Sequence, residues 1–380
     1  MIKYTRIKGK TMKKNFIIAI IFILLVTASI VWMTKDSTIY IAALGNYTST
    51  TSSGSVDTFR IVEYVIDRLN EEGKDYSLIR FEIEEYPDLA DLEKAFINNK
   101  IDVIIGPNST SEAEPLYEFL ASLDKAVFLT NVASDKFTGK DDNIFRINST
   151  VSKQATQVGS VMMAKTNKQP ITIYYTQDNI KYSKSYARIV KDLYSKNNIE
   201  ANIVEVGSLE EIEVQAILKS KVDTEVGLII AGPGKAGIIT ELISLSNESM
   251  TFYHGAWGMS DDTLEYMANV SNDIYSIGYV LPVYKDNYNE FVDVILNEIG
   301  VIQTIFCFSA YETAYFMDYV LSESKSLELE DMKEFVNEIG VYQGAFHDFY
   351  FESYGDFAKE FSLYKVEDNN YIIDVDYLRY

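Results

Sequence analysis

The sequence has little cysteine and little histidine. It contains one cysteine, Cys307, and two histidines, His254 and His347, among 380 residues. A single cysteine excludes an intramolecular disulfide and a cysteine-based metal site. No carboxylate pattern joins the two histidines into a metal-binding set. We therefore predict that the protein has no metal site.

Motifs of the common catalytic and nucleotide-binding families are also missing. The sequence has no GxSxG, CxxC or HExxH motif. The segment GPGKAG at 232–237 lacks both the spacing and the Ser or Thr of a phosphate-binding loop. We predict no catalytic residue and no cofactor, and we do not expect an enzyme.

Acidic residues exceed basic residues over most of the chain. When the six basic residues between Lys3 and Lys14 are left out, 28 Lys and Arg remain against 56 Asp and Glu, a net charge near −28. The acidic residues are scattered rather than grouped, which is typical of a solvated surface. Such a surface repels nucleic acid and anionic lipid, so we predict no nucleic-acid partner.

The amino terminus has the pattern of a targeting segment. The basic region is followed by an uncharged, mostly apolar run at 16–33. This length fits either a signal peptide cleaved after Ala28 or a short membrane-spanning helix. We favour an uncleaved anchor, because the apolar run continues to Met33. In both cases residues 36–380 are expected outside the cytoplasm, either secreted or held at the extracytoplasmic face of the membrane.

Strand and helix patterns alternate twice along the rest of the chain. The first series extends from the apolar run at 39–44 to Phe145 and Arg146, and the second extends from Val151 to about 280. Short β-branched strands alternating with amphipathic helices are typical of a parallel sheet covered on both faces. The repeat predicts two doubly wound α/β lobes with a cleft between them.

Small polar residues follow two neighbouring predicted strands of the first series. Ser109, Thr110 and Ser111 come after the strand at 103–105, and Val132, Ala133 and Ser134 come after the strand at 126–129. Ligands of open α/β sheets bind at the carboxyl ends of the strands, where free backbone N–H groups point outward. We predict a shared ligand site there, although each serine could instead act only as a helix cap.

Several segments, taken in order, resemble a known family. They are IDVIIGPNSTSEA with FLTNVASDKFT, IFRIN at 144–148, KYSKSYARIVKDLY at 181–194, SAYETAYFMDYVL at 309–321 and GAFHDFYFESYGD at 344–356. Over residues 38–375 the chain resembles the type I periplasmic-binding-protein superfamily. Within it, the chain is similar to the branched-chain amino-acid-type (Leu/Ile/Val-binding-like) substrate-binding proteins of ABC transporters.

The resemblance implies two lobes joined by three crossovers that close on a small ligand. The targeting pattern assigns residues 1–36 to the signal or anchor segment. The resemblance implies 37–148 with 281–342 as one lobe, and 149–280 with 343–380 as the other. The crossovers are expected near 146–151, 276–283 and 340–346. The implied ligand contacts come from Ser109, Thr110, Ser111, Val132, Ala133, Ser134, the loop around Tyr182, Gly232 and Trp257.

One position departs from the pattern of the amino-acid binders in this family. These proteins often carry an acidic residue in the turn that here contains Trp257, and that residue pairs with the ligand's ammonium group. A tryptophan can instead stack on an apolar or planar ligand, or pack against the hinge. The ligand is therefore predicted only as amino-acid-like or amide-like.

The resemblance also implies a membrane transporter as the partner. We predict an extracytoplasmic solute-binding protein that delivers its ligand to an ABC transporter permease. The alternative is a ligand-sensing ectodomain that is anchored by its amino-terminal segment and acts through a partner protein.

Overall fold

Two separate sheets organise the part of the chain that the structure describes. The computed structural model describes residues 38–47, 55–207, 224–279, 287–301, 304–359 and 361–374. In these ranges the strands form one sheet of eight and another of seven. The prediction of two α/β lobes is therefore confirmed. The predicted anchor at 16–33 lies outside the described residues.

The first sheet has the strand order β11-β12-β13-β5-β4-β3-β1-β2. Its strands are β1 Ile39–Gly45, β2 Tyr76–Glu82, β3 Val103–Ile105, β4 Val127–Leu129, β5 Ile144–Arg146, β11 Val341–Gln343, β12 Asp348–Ser353 and β13 Asp356–Ala358. The pairs β1–β3, β3–β4 and β4–β5 are parallel. The carboxyl ends of these neighbouring strands therefore meet at one edge of the sheet.

The second sheet has the strand order β15-β14-β10-β9-β8-β6-β7. Its strands are β6 Ile171–Thr176, β7 Ala201–Val206, β8 Val226–Ile230, β9 Thr251–Gly255, β10 Ile274–Tyr279, β14 Phe361–Glu367 and β15 Asn370–Ile373. The five strands β6 to β10 pair in parallel, while β14 and β15 add an antiparallel ribbon at the β10 edge. All side chains of β6 and β8 are buried, as expected for strands covered on both faces.

The helices cover the faces of the two sheets. They are α1 Ser55–Glu71, α2 Leu89–Asn98, α3 Thr110–Ser122, α4 Val151–Lys165, α5 Ile180–Lys196, α6 Lys235–Ser244, α7 Asp261–Met267, α8 from Asn287 to Ile299 with a π-helical turn at Phe291–Leu296, α9 Ile305–Glu323 and α10 Leu329–Glu338. None of the helices in the described ranges combines the length and the apolar character needed to cross a bilayer.

Gly106 ends β3 in a conformation that only glycine adopts easily. Its φ is +101°, and a Cβ at this position would lie 2.1 Å from the carbonyl oxygen of Leu44 on β1. A larger residue would therefore push β1 and β3 apart. This turn directs the chain from β3 to the polar segment that begins α3.

The third crossover differs from the sequence-based prediction. We predicted a lobe boundary between residues 342 and 343 and a crossover at 340–346, but β11, β12 and β13 all belong to the first sheet. The chain passes to the second sheet between the end of β13 at Ala358 and the start of β14 at Phe361. The boundary was wrong because a short aromatic strand shows its face pattern in sequence, but not the distant strand with which it pairs.

A buried ion pair fixes β13 beside β5. The guanidinium of Arg146 donates to Asp356 Oδ1 from Nε at 3.0 Å and from Nη2 at 2.7 Å. Arg146 Nη1 donates to the carbonyl of Ser134 at 2.6 Å, and Nη2 also donates to Thr138 Oγ1. Both charged side chains are almost fully buried. One cation therefore holds the ends of two strands and the turn after β4.

We expect Asp356→Asn and Arg146→Met each to lower the free energy of unfolding by about 3–5 kcal/mol, because each leaves a buried charged partner without its counterion. Urea unfolding followed by circular dichroism measures the change. Lys325→Ala is the control, since Lys325 pairs with Glu334 on the exposed surface. A loss for Arg146→Met no larger than that of the control would contradict the structural role of the buried pair.

Candidate functional site

A cavity lies between the two lobes, at the carboxyl edges of both sheets. Its empty space is about 370 Å³, including the open mouth. The described residues that line it are Asn131, Ala133, Asn148, Gln154, Asn179, Tyr182, Ala256, Trp257, Phe306 and Ser309. None of these side chains carries a formal charge. The cavity therefore offers aromatic surface together with amide and hydroxyl groups.

The two polar segments predicted after β3 and β4 are in contact. Thr110 Oγ1 accepts a hydrogen bond from the N–H of Ala133 at 3.1 Å. This contact follows from the parallel pairing of β3 and β4, which places the ends of both strands side by side. Ala133 lines the cavity, whereas Thr110 and Val132 are buried in the first lobe.

Ser109 and Ser134 act as helix caps. Ser109 Oγ accepts from the N–H of Glu112 at the start of α3. Ser134 Oγ accepts from the N–H of Lys136 and donates to Glu114 Oε1 at 2.5 Å. These hydroxyls satisfy backbone groups at helix starts, which was the alternative interpretation of the pattern. Neither side chain is among the described residues that line the cavity.

Ser111 joins the two lobes directly. Its N–H and its hydroxyl both donate to Asn179 Oδ1, at 3.1 and 2.9 Å. Ser111 Oγ also accepts from the N–H of Lys181, the second residue of α5. Asn179 precedes α5 in the second lobe and lines the cavity. The lobes are therefore in contact along one side of the cavity.

Tyr182 lies on a helix and not in the loop that the resemblance implied around it. Helix α5 begins at Ile180, so that Tyr182 is in its first turn. Its hydroxyl donates to Gln154 Oε1 at 2.8 Å, and burial raises the pKa of Tyr182 well above its ordinary value. The phenol is therefore neutral at physiological pH and presents its ring to the cavity.

Trp257 and Tyr182 form an aromatic wall on the second lobe. Their ring centroids are 5.6 Å apart with an interplanar angle of 82°, an edge-to-face arrangement. Gly232 lies against the indole, since a Cβ there would be 3.3 Å from Trp257 Cζ2. Gly232 therefore leaves space for the ring but is not among the described residues that line the cavity.

Three of the predicted site residues line the cavity: Ala133, Tyr182 and Trp257. The lining residues that were not predicted from the sequence are Asn131, Asn148, Gln154, Asn179, Ala256, Phe306 and Ser309. Asn131 and Asn148 follow β4 and β5 closely, so their position after predicted strands was a usable signal. Phe306 and Ser309 lie in the first turns of α9, whose mostly apolar sequence gives no local signal of a ligand site.

Comparison with known proteins identifies the family. The family model for periplasmic binding proteins matches residues 38–370, which is most of the chain. The chain belongs to the periplasmic binding protein family. Family members bind solutes and are not enzymes, so the prediction of a binding protein without catalytic activity is confirmed. No curated protein matches the sequence itself.

Solved structures of solute-binding proteins share the fold of this binding protein. A leucine binding protein from Thermotoga maritima has a TM-score of 0.73 and 12% identity, covering 88% of this chain and 97% of its own. A solute-binding protein of an ABC transporter from R. palustris, in complex with benzoate, has a TM-score of 0.73 and 12% identity. The match covers 89% of this chain and 95% of that protein. The branched-chain amino acid transporter substrate-binding protein from Streptococcus pneumoniae, in complex with isoleucine, has a TM-score of 0.69 and 14% identity. The match covers 88% of this chain and 99% of that protein.

Glu112 is an ionisable group close to the contact between the lobes. It lies in the first turn of α3, where Oε2 accepts from the N–H of Asn108 at 3.1 Å. Oε1 is buried without a hydrogen-bond partner among the described residues. Burial raises the pKa of Glu112 to about 7, and the hydrogen bond from Asn108 opposes that rise.

We expect Asn179→Ala to weaken contact between the lobes, because it removes the acceptor of both Ser111 hydrogen bonds. At about 0.5–1.5 kcal/mol for each of the two neutral hydrogen bonds, the ratio of closed to open protein should fall roughly 5- to 150-fold. Small-angle X-ray scattering of the ligand-free protein would show a larger radius of gyration. Ser134→Ala is the matched control, since its hydroxyl bonds only within the first lobe. Equal radii of gyration for Asn179→Ala and Ser134→Ala would contradict the role of this contact in holding the lobes together.

We expect the stability of the wild type to fall relative to Glu112→Gln as the pH rises from about 4.5 to above 7. A carboxyl with a raised pKa in the folded state binds its proton more tightly there, so it costs stability once it ionises. The difference should reach roughly 3 kcal/mol, because each pKa unit corresponds to about 1.4 kcal/mol. Urea unfolding over this pH range measures it, with the exposed Glu93→Gln as control. A constant difference between the wild type and Glu112→Gln would contradict the assignment.

Proposed function

We propose that this binding protein captures a small ligand in the cavity between its lobes and delivers it to an ABC transporter permease. The cavity carries the proposal, because side chains of both lobes line it. The shared fold of transporter-associated binding proteins supports it. We place the protein outside the cytoplasm, secreted or held by its amino-terminal segment.

The lining indicates a ligand with a planar body. Tyr182, Trp257 and Phe306 offer three aromatic rings, and Asn131, Asn148 and Gln154 offer amide groups. No acidic side chain among the described lining residues could pair with an ammonium group. A relative with the same fold was solved with benzoate, and another was solved with isoleucine. The neutral aromatic wall favours the planar ligand over the free amino acid.

Ligand capture is proposed to proceed by hinge closure. The ligand docks on the first lobe at Asn131 and Ala133, and the second lobe then brings Tyr182 and Trp257 over it. The equilibrium shifts only as far as the ligand prefers the closed form. The proposed hinge comprises the crossover at 147–150 and the one between β13 and β14, together with the crossover predicted near 276–283, part of which lies outside the described residues.

The division into lobes follows the two sheets. We propose a first lobe built from residues 38–146 and 287–358, and a second lobe built from 151–279 and 361–374. This division moves β12 and β13 from the second lobe to the first, in accordance with their pairing.

We expect Trp257→Ala to weaken ligand binding at least tenfold, because it removes the largest ring of the cavity wall. Small molecules released by denaturing the purified protein are identified by mass spectrometry, and their binding to each variant is measured by calorimetry. Tyr354→Ala, which removes an exposed aromatic ring, is the control. If the wild type binds none of the released molecules, or if Trp257→Ala binds them equally well, the cavity is not the ligand site.

A further inference from the structure

A buried lysine lies behind the cavity wall on the first-lobe side. Lys359 is only 4% exposed, and its ammonium donates to Ser309 Oγ at 3.4 Å. Ser309 lines the cavity. The backbone N–H and C=O of Lys359 both bond Ser149 Oγ at 3.3 Å, next to the cavity residue Asn148. A positive charge is therefore built into the crossover that follows β13, one side chain away from the ligand space.

The contact with Lys359 orients the hydroxyl of Ser309. An ammonium has only donors, so Ser309 Oγ is the acceptor in this contact. The hydroxyl proton of Ser309 then remains available, and no acceptor for it occurs among the described residues. On the same lobe, Asn131 Nδ2 is buried without a hydrogen-bond partner in the described part of the chain. Ser309 and Asn131 therefore bring two donor groups to the first-lobe wall of the cavity, and a cation lies behind Ser309.

These groups suit an anionic acceptor. A carboxylate accepts hydrogen bonds without donating any, and a hydrogen bond to a charged group is about twice as strong as one between neutral groups. The planar body of such a ligand would face Tyr182 and Trp257. We infer that the ligand is a planar monocarboxylate whose carboxylate is bound by Ser309 and Asn131 and whose charge is balanced by Lys359. This inference rests on the proposed function of the cavity.

The amine of Lys359 has acidic and aromatic groups around it. Glu312 on α9 is fully buried, accepts from the N–H groups of Phe346 and His347, and contacts His347 Nδ1 at 2.8 Å. The Phe349 ring lies 5.5 Å from Lys359 Nζ. Burial lowers the pKa of Lys359 to about 8, and the charge of Glu312 opposes that fall. The amine is therefore mostly protonated at pH 7 and loses its proton above about pH 8.

The test compares benzoate with benzamide, a neutral probe of nearly the same shape. Calorimetry at pH 7 should show that the wild type binds benzoate at least tenfold more tightly than benzamide. Lys359→Met keeps the length of the side chain and should remove this preference while benzamide binding persists. Ser309→Ala should also reduce the preference for benzoate over benzamide. Lys365→Met is the matched control, because Lys365 pairs with Glu367 on β14 and its loss changes the net charge equally.

A second measurement uses the wild type alone, so that the inference does not depend on the folding of a variant. Between pH 7 and 9.5 the affinity for benzoate should fall relative to that for benzamide, as Lys359 loses its proton. The inference is overturned if Lys359→Met keeps the benzoate preference, if the wild-type ratio does not change with pH, or if the wild type binds neither probe. If molecules released from the protein bind in the cavity but carry no anionic group, only this inference fails and the proposed function stands.

Discussion

The guanidinium of Arg146 is the contact on which the arrangement of the lobes depends. It lies at the end of β5, where the chain leaves the first sheet, and binds Asp356 at the start of β13, just before the chain leaves that sheet again. It also binds the carbonyl of Ser134, in the turn that carries the cavity residues of β4. Such a buried cation is tolerated only when its donors are satisfied, and here Nε, Nη1 and Nη2 all have acceptors. The side chain of Arg146 therefore holds two crossovers and one cavity wall in place.

The cavity wall and the hinge are built from the same segments. Asn148 lines the cavity and lies in the crossover after β5, while Ser149 bonds the backbone of Lys359 in the crossover after β13. A ligand that contacts Asn148 therefore contacts a crossover directly. The contacts of Ser111 with Asn179 across the lobes are two neutral hydrogen bonds of modest energy. Bonds of this size are compatible with the proposed hinge closure, in which a small ligand shifts the equilibrium between open and closed forms.

The surface and the cavity have different electrostatic characters. The folded part of the chain carries a large excess of acidic residues, yet no acidic side chain is found among the described residues that line the cavity. Desolvation between the lobes penalises any ionised group, and it does so most strongly for one without a partner. Neutral amides and rings at the surface of the cavity, with a single amine behind them, keep this cost low. This arrangement also favours an acceptor-rich ligand over a cation.

The sequence by itself determined the alternation of strands and helices, because buried β-branched runs and amphipathic stripes are local patterns. It also determined that the segments at 109–111 and 132–134 meet, since parallel neighbouring strands end at the same edge. Only the tertiary structure decided which lobe takes β12 and β13, because strand pairing joins residues that are far apart in sequence. In the same way, the chain fold placed Ser309 and Asn179 at the cavity and Lys359 behind Ser309. These side chains come from three segments that are far apart in the sequence. Their proximity depends on how the two lobes pack, which a local sequence pattern does not predict.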